Sequence, residues 1–261
     1  MLENIELFLL DMDGTLYLGD EVIDGAIDFV HRIAATHRRY MYLTNNSSRA
    51  GSDYIDRLRG LGFPCGEGDV FTSGMATAMY LNERHAGEGV FLVGTRAFAR
   101  ELSEAGVRLT DEDADVVVAG FDTELDYRKA ARAVHFLRRG AKFIAANPDW
   151  VCPMPGGEAL PDCGSICAML SAASGAEPVY IGKPNRNMVD IISKMTGVPN
   201  SAIACVGDRL YTDIAVAKNA GALGICVLSG ESTERDIASS AVQPDLVFPS
   251  VKEIAEGLQW T

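Results

Sequence analysis

No stretch of the sequence approaches the roughly 20 consecutive apolar residues that a membrane-spanning helix needs, which excludes a bilayer-embedded reading. The opening MLENIELFLLDMD has no basic residues ahead of its apolar run, and that run is too short for a signal peptide, so a cytoplasmic protein is expected. Positive charge is scarce: 23 Lys and Arg face 36 Asp and Glu, for a net charge of −13. A field of that sign repels nucleic acid and anionic membranes, so neither is expected as a partner. Any anionic substrate would need positive charge supplied locally. Histidine is scarce too. His31, His37, His85 and His135 lie away from the expected strand ends, and none has a Ser or Cys in a triad-like setting. The six cysteines are scattered along a chain too long to need stapling, and reduced thiols are expected. Cys163 and Cys167 share a helical spacing, but without a further Cys or His they make a poor zinc site and are read as packing. No Pro/Gly/Ser tract indicates disorder, and no fixed-period repeat is present.

What the sequence does have is alternation. Short apolar, β-rich runs at 5–10, 40–43, 90–93, 115–121, 142–146, 179–181, 202–206, 223–228 and 245–248 predict strands. Helical patterns separate them at 25–36, 51–60, 74–85, 96–105, 126–139, 164–174, 186–196, 212–220 and 233–240. Continuously apolar strands alternating with helices predict parallel sheets covered on both faces, hence an α/β fold. Nine strands would fit one sheet, yet the acidic TDEDAD and the turn-rich segment 147–162 interrupt the middle of the chain with long connections. A Rossmann-like core of residues 1–83 and 179–261 is therefore expected, with a smaller α/β cap inserted at 84–178.

Chemistry-bearing residues gather where apolar strands stop. They are Asp11-Met12-Asp13-Gly14-Thr15, Thr44-Asn45-Asn46-Ser47, Gly182-Lys183-Pro184 and Gly207-Asp208-Arg209 with Asp213 beyond. In open α/β sheets such strand ends are where ligands bind. Four carboxylates, one lysine and a set of hydroxyl and amide donors suit phosphoryl transfer assisted by a hard cation. Mg²⁺ takes oxygen ligands and is commonly held by one or two carboxylates plus phosphate, while the transferred group needs donors around its oxygens.

Each motif alone has a plainer reading. Asp11 and Asp13 could form a loop with an Asx turn into Gly14. TNNSS could cap the following helix, although an N-cap and a phosphate site are compatible. Lys183-Pro184 could be a solvated turn, Asp213 a first-turn acid favoured by the helix dipole, and Arg209 one half of an ion pair. Four motifs in this order are far less common by chance than any one of them.

Together DMDGTLYLGD, LTNNSS, ANPDW, IGKPN and VGDRLYTDI resemble the haloacid dehalogenase superfamily, and within it the NagD-type, 4-nitrophenylphosphatase branch. The resemblance runs along the whole chain. It implies an α/β cap between the second and third motifs, and an Mg²⁺-dependent phosphatase acting on a small phosphorylated metabolite. Asp11 would be the nucleophile that forms an aspartyl-phosphate, and Asp13 the general acid and then base. The Asp11 carboxylate, the Asp13 carbonyl and Asp208 would ligate the metal, with Asp213 behind them. Thr44 and Asn45 would hold phosphate oxygens, Asn46 would face the substrate, and Lys183 would offset the charge of Asp11 and the phosphoryl group. Members of this branch often pair through their caps, which leaves a homodimer open.

Relatives of the motif include dehalogenases, which do not need an acid at position 13, and pumps, which need membrane spans. A phosphonate hydrolase would want a cap lysine, and neither Lys129 nor Lys142 has a persuasive context. The competing class is a non-enzymatic phospho-acceptor or phosphate-sensing module. Asp13 and the inserted segment argue against it. Sugar phosphates, nucleoside monophosphates, pyridoxal phosphate and phosphoglycolate all remain open as substrates. Asn147-Pro148-Asp149-Trp150, at the end of a cap strand, is the expected substrate-facing edge, and Trp150 is read either as a platform for a planar leaving group or as part of the cap core.

Overall fold

The structure, a computed structural model, describes residues 2–154 and 157–257. In chain order its strands and helices are β1 (Leu7–Leu10), β2 (Tyr17–Leu18), β3 (Glu21–Val22), α1 (Ala26–Ala35), β4 (Arg39–Thr44), α2 (Gly51–Gly60), β5 (Val70–Thr72) and α3 (Ser73–Arg84). Next come β6 (Val90–Val93), α4 (Arg96–Glu104), β7 (Val116–Ala119), α5 (Tyr127–Arg138), β8 (Lys142–Ala145), β9 (Val151–Pro153), β10 (Ala159–Pro161) and α6 (Cys163–Ser174). The last are β11 (Val179–Tyr180), α7 (Asn187–Thr196), β12 (Ile203–Gly207), α8 (Ala215–Ala220), β13 (Leu223–Val227), α9 (Glu234–Ser239), β14 (Leu246–Phe248) and α10 (Val251–Gly257).

These elements form two compact units. The first runs to Thr44, resumes over Tyr54–Phe71, and continues from Lys183; the second takes Asn45–Asp53 and Thr72–Gly182. The first unit holds a six-stranded sheet in the order β14-β13-β12-β1-β4-β5, parallel in the pairings of β1 with β12 and β4, β12 with β13, and β13 with β14. Both central strands, LFLL and IACVG, are buried at every position, as continuous apolar strands covered on two faces should be. On one face α1 buries Phe29, Val30 and Ile33, and Phe29 meets the Phe8 ring edge-on at 6.2 Å. Truncating Phe8 to Ala would cost about 3–5 kcal/mol, the range for deleting a packed aromatic core residue.

The second unit holds a four-stranded parallel sheet in the order β11-β8-β7-β6. Its helices start on side-chain caps, with Thr95 accepting from the Phe98 N–H and Asp126 from the Lys129 N–H. The fold is α/β with a Rossmann-like parallel core, as expected. The second unit differs from the expected insertion at 84–178: it begins twelve residues earlier at Thr72, takes in Asn45–Asp53 as well, and ends at Gly182. Val179 and Tyr180, assigned to the core at first, pair with Ile144 and Ala145 in the smaller sheet. α3 also belongs to the second unit, where a Cβ on Gly74 would fall 3.1 Å from Phe98 of α4. Alternation along a chain reports strands and helices but not which sheet a short strand joins. The long connection expected at 147–162 contains an antiparallel pair, β9 and β10; residues 155 and 156 of it lie outside the described residues.

Candidate active site

Parallel pairing decides which residues can meet. Leu10 is level with Val206 and with Tyr42, so β1, β12 and β4 all end at one edge of the sheet. The chain leaves that edge as Asp11 after β1, Asp208 after β12 and Thr44 at the end of β4. The Asp11 N–H donates to the Val206 carbonyl at 2.9 Å, which ties the first carboxylate to the strand that carries the second. Past Asp208 the chain makes a single π-helical turn, Leu210–Ile214, in which the N–H groups of both Asp213 and Ile214 donate to the Arg209 carbonyl. Such turns are rare and recur at functional sites. Here the turn brings Asp213 back over Gly207, where a Cβ would lie 2.3 Å from the Asp213 Cβ. Only glycine fits at 207.

Carboxylate oxygens of Asp11, Asp208 and Asp213 lie within 4.8 Å of one another. Two unit charges 4 Å apart repel by about 4 kcal/mol at an effective dielectric of 20, so three clustered anions need compensation. Lys183 supplies part of it. Its Nζ donates to Asp11 Oδ1 at 2.7 Å and to Asp213 Oδ1 at 2.5 Å, and its side chain is 3% exposed. Burial alone would lower its proton affinity, but Asp11 and Asp213 reverse that, and it is held above its ordinary range as a permanent cation. Asp213 spends its other oxygen on the Arg209 N–H at 3.1 Å.

Asp208 is 2% exposed, and among the described residues no lysine or arginine forms an ion pair with it. Its Oδ2 accepts the Glu231 N–H at 2.7 Å, and its Oδ1 lies 3.5 Å from the Thr15 hydroxyl. Burial, followed by repulsion from Asp213, pushes its carboxyl up to about 6. Burial raises Asp11 well above the usual carboxylate range too, with Asp213 and Asp208 adding to it and Lys183 opposing. Two glycines flank Asp208: a Cβ would come within 2.4 Å of its Oδ2 at Gly14 and 2.1 Å at Gly230. Gly14 also has φ +84°, in the left-handed region that disfavours other residues. The arrangement is a cluster of carboxylate oxygens that includes a buried carboxyl with no ion-pair partner among the described residues, and no thiol or imidazole is in the set. It fits a hard divalent cation.

The remaining expected site residues divide. Asp13 is exposed and pairs by backbone with Tyr17. Thr44 is buried at the end of β4. Asn45 and Asn46 fall in the second unit, where Asn45 Nδ2 donates to Asp149 Oδ2 at 2.8 Å and Asn46 Oδ1 accepts from the Ser48 N–H at 2.9 Å. Arg209 pairs with Glu231 at 2.9 Å, the ion pair of its plainer reading. Asn147, expected at a substrate-facing edge, is fully buried. It accepts from Ser47 Oγ and donates to Asp149 and Asp162. Trp150 is 63% exposed, which rules out a place in the core of its unit. Lys129 pairs with Asp122 at 2.6 Å and Lys142 with Glu88 at 2.7 Å, so both cap lysines are held in ion pairs. Sequence reasoning placed Thr15 in the first motif without a role and missed Gly230 and Glu231. SGES directly follows the apolar run 223–228 and was the signal available.

Acidic side chains and one buried lysine at the C-terminal edge of a parallel sheet place a phosphoryl-transfer type of site in a Rossmann-like α/β protein. The family description "haloacid dehalogenase-like hydrolase" matches residues 8–108, and a second, HAD-hydrolase-like, matches 180–254. An acid sugar phosphatase of Staphylococcus epidermidis is 35% identical over 248 residues, covering 95% of each chain. The crystal structure of 4-nitrophenylphosphatase from Thermotoga maritima superposes with a TM-score of 0.95 at 41% identity, covering 99% of both chains. NagD from E. coli K-12 superposes with a TM-score of 0.88 at 34% identity, covering 95% of this chain and 98% of that one. The chain belongs to the haloacid dehalogenase-like hydrolases, in the branch that contains NagD and the 4-nitrophenylphosphatases. It is a phosphoric monoester hydrolase, and the non-enzymatic acceptor reading gives way. Among the described residues no helix is long and apolar enough to cross a membrane.

Proposed function

We propose that the protein hydrolyses small phosphate monoesters, sugar phosphates foremost, through an aspartyl-phosphate on Asp11 with Mg²⁺ as cofactor. One observation carries the reading: Asp11, Asp208 and Asp213 converge within 4.8 Å, and buried Lys183 bridges Asp11 and Asp213. The sugar-phosphate preference rests on the likeness to the staphylococcal enzyme. Mg²⁺, held by Asp11, the Asp13 carbonyl and Asp208, would neutralise charge on the phosphoryl oxygens and on the attacking carboxylate.

The chain's own residues do the rest. Lys183 holds Asp11 by one oxygen and leaves the other to attack phosphorus. As the P–O ester bond breaks, Asp13 gives its proton to the departing alkoxide. Asp13, now a carboxylate, takes a proton from water. That water attacks phosphorus, cleaves the acyl phosphate, and returns Asp11 as a free carboxylate. The exposure of Asp13 suits it to meet both the leaving group and water. Asp213 orients Lys183. Thr44, Asn45 and Asn46, at and just beyond the end of β4, are assigned to phosphate and substrate oxygens.

The test is turnover of a panel of sugar phosphates with Mg²⁺ or chelator, combined with acid quench of a phosphate-labelled substrate. Label should stay on the wild-type protein and be absent from Asp11→Asn. Turnover without protein-bound label would overturn the covalent route, and chelator-insensitive turnover would overturn the metal.

A further inference from the structure

The short hairpin that follows Asp13 is held by a residue outside every motif. β2 and β3 pair antiparallel across the two-residue turn Gly19–Asp20, with Tyr17 opposite Val22 and Leu18 opposite Glu21. Two strands of two residues do not hold themselves in water. From the last turn of α2, Arg57 reaches this hairpin at three points. Its guanidinium lies over the Tyr17 ring at 4.9 Å from the centroid, one nitrogen donates to the Gly19 carbonyl, and the same nitrogen lies 3.3 Å from Asp20 Oδ1. A planar fork makes such a set of contacts, whereas an ammonium is a single point of charge.

What is fixed at Tyr17 is passed back to the site. The Gly14 N–H donates to the Tyr17 carbonyl at 2.9 Å, and Asp13 bridges to Tyr17 by backbone. The N–H groups of Thr15, Leu16 and Tyr17 all converge on the Met12 carbonyl. Gly14 in turn lies against the Asp208 carboxylate. The Tyr17 ring is wholly buried, and among the described residues its hydroxyl makes no hydrogen bond of good geometry, with the Arg57 guanidinium the nearest positive group. Burial and then Asp13 push its phenol up, so it stays neutral beneath Arg57.

We infer that Arg57 is a positioning residue for the proton-transfer step: by clamping the 17–22 hairpin it sets where the Asp13 carboxyl stands over the leaving-group oxygen. The inference rests on the role of Asp13 proposed above. A group misplaced by about 1 Å can lose up to about a hundredfold in rate. The loss appears only where protonation of the leaving group matters.

The experiment compares Arg57→Ala, Arg57→Lys and Asp13→Asn on 4-nitrophenyl phosphate, whose leaving group needs little protonation, and on a sugar phosphate, whose leaving group needs it. Arg57→Ala should lower kcat about tenfold or more on the sugar phosphate and less than about threefold on the nitrophenyl ester, with KM within about twofold on both. Arg57→Lys should fail to rescue. Backbone hydrogen exchange over residues 14–22 should speed up in both Arg57 variants, a readout independent of turnover. Equal loss on the two esters, loss in KM alone, or full rescue by lysine overturns the inference. If Asp13→Asn is selective for the sugar phosphate and Arg57→Ala is not, Arg57 alone is misassigned. If Asp13→Asn is itself unselective, the acid role falls and the function given to Arg57 falls with it.

Discussion

Lys183 and Asp213 are joined at 2.5 Å, both side chains 3% exposed, and the ammonium that makes this contact also reaches Asp11. The lysine therefore serves two carboxylates at once. One is the proposed nucleophile and the other keeps the lysine in place. Replacing Lys183 with Ala leaves buried carboxylates uncompensated, which costs about 3–5 kcal/mol when one partner of a buried pair is removed. The metal-free variant is expected to melt well below wild type. Its kcat/KM is expected to fall at least about a hundredfold, the scale for losing one preorganised charge at a developing anion. A variant with wild-type turnover would show that Lys183 is structural alone.

The Asp208 carboxyl gives a pH dependence whose sign can be worked out. Its proton affinity is raised to about 6 in the fold against an ordinary 3.8, so between those values the native state holds a proton that the unfolded chain has released. Stability of the metal-free protein from this group is full below pH 3.8 and is lost as pH rises toward 6. A divalent cation competes for the same oxygens and binds the ionised form. The increase in Tm on adding Mg²⁺ should therefore be larger at pH 7.5 than at pH 5. A pH-independent increment would place the ion away from Asp208.

Much of this site was legible because its parts sit where apolar runs stop. All nine expected strands form, five in the larger sheet and four in the smaller, and the carboxylates at two of the strand ends meet. What was not legible depends on contacts distant in sequence. Val70–Thr72 is too short to show a period, and only its place beside β4 makes it a strand. Asn45 carries no sign of its bond to Asp149, nor Arg57 of its seat on Tyr17, because propensity and spacing say nothing about which loops a sheet will bring together. Trp150 and Asn147 were read as one edge, yet one is exposed and the other buried.

That contrast can be measured. Asn147 makes hydrogen bonds to Ser47, Asp149 and Asp162 inside its unit. Asn147→Ala strands two buried partners, Ser47 and Asp162, at about 1–3 kcal/mol each before relaxation, so a loss of about 2–4 kcal/mol is expected in denaturant melts. Trp150→Ala removes an exposed side chain and should change stability by less than about 0.5 kcal/mol. If Trp150 contacts substrate, the same variant raises KM; unchanged KM and unchanged stability together would leave it without a role at either level.

Gly230 offers the most direct probe of the metal proposal, because it touches the ligand and carries no chemistry itself. A Cβ at this position would lie 2.1 Å from Asp208 Oδ2 and 2.5 Å from its Cγ, so Gly230→Ala must push the carboxylate aside. The shift also breaks the line from the neighbouring Glu231 N–H, which fixes that oxygen at 2.7 Å. Disturbing such an outer support weakens metal sites about 10–100-fold. Mg²⁺ affinity, read by calorimetry, should drop in that range in Gly230→Ala. Gly60→Ala, where nothing lies within 4 Å of the added carbon, should bind as wild type does. Equal affinity in the two variants would mean that the ion does not use Asp208, and the carboxylate cluster would need another explanation.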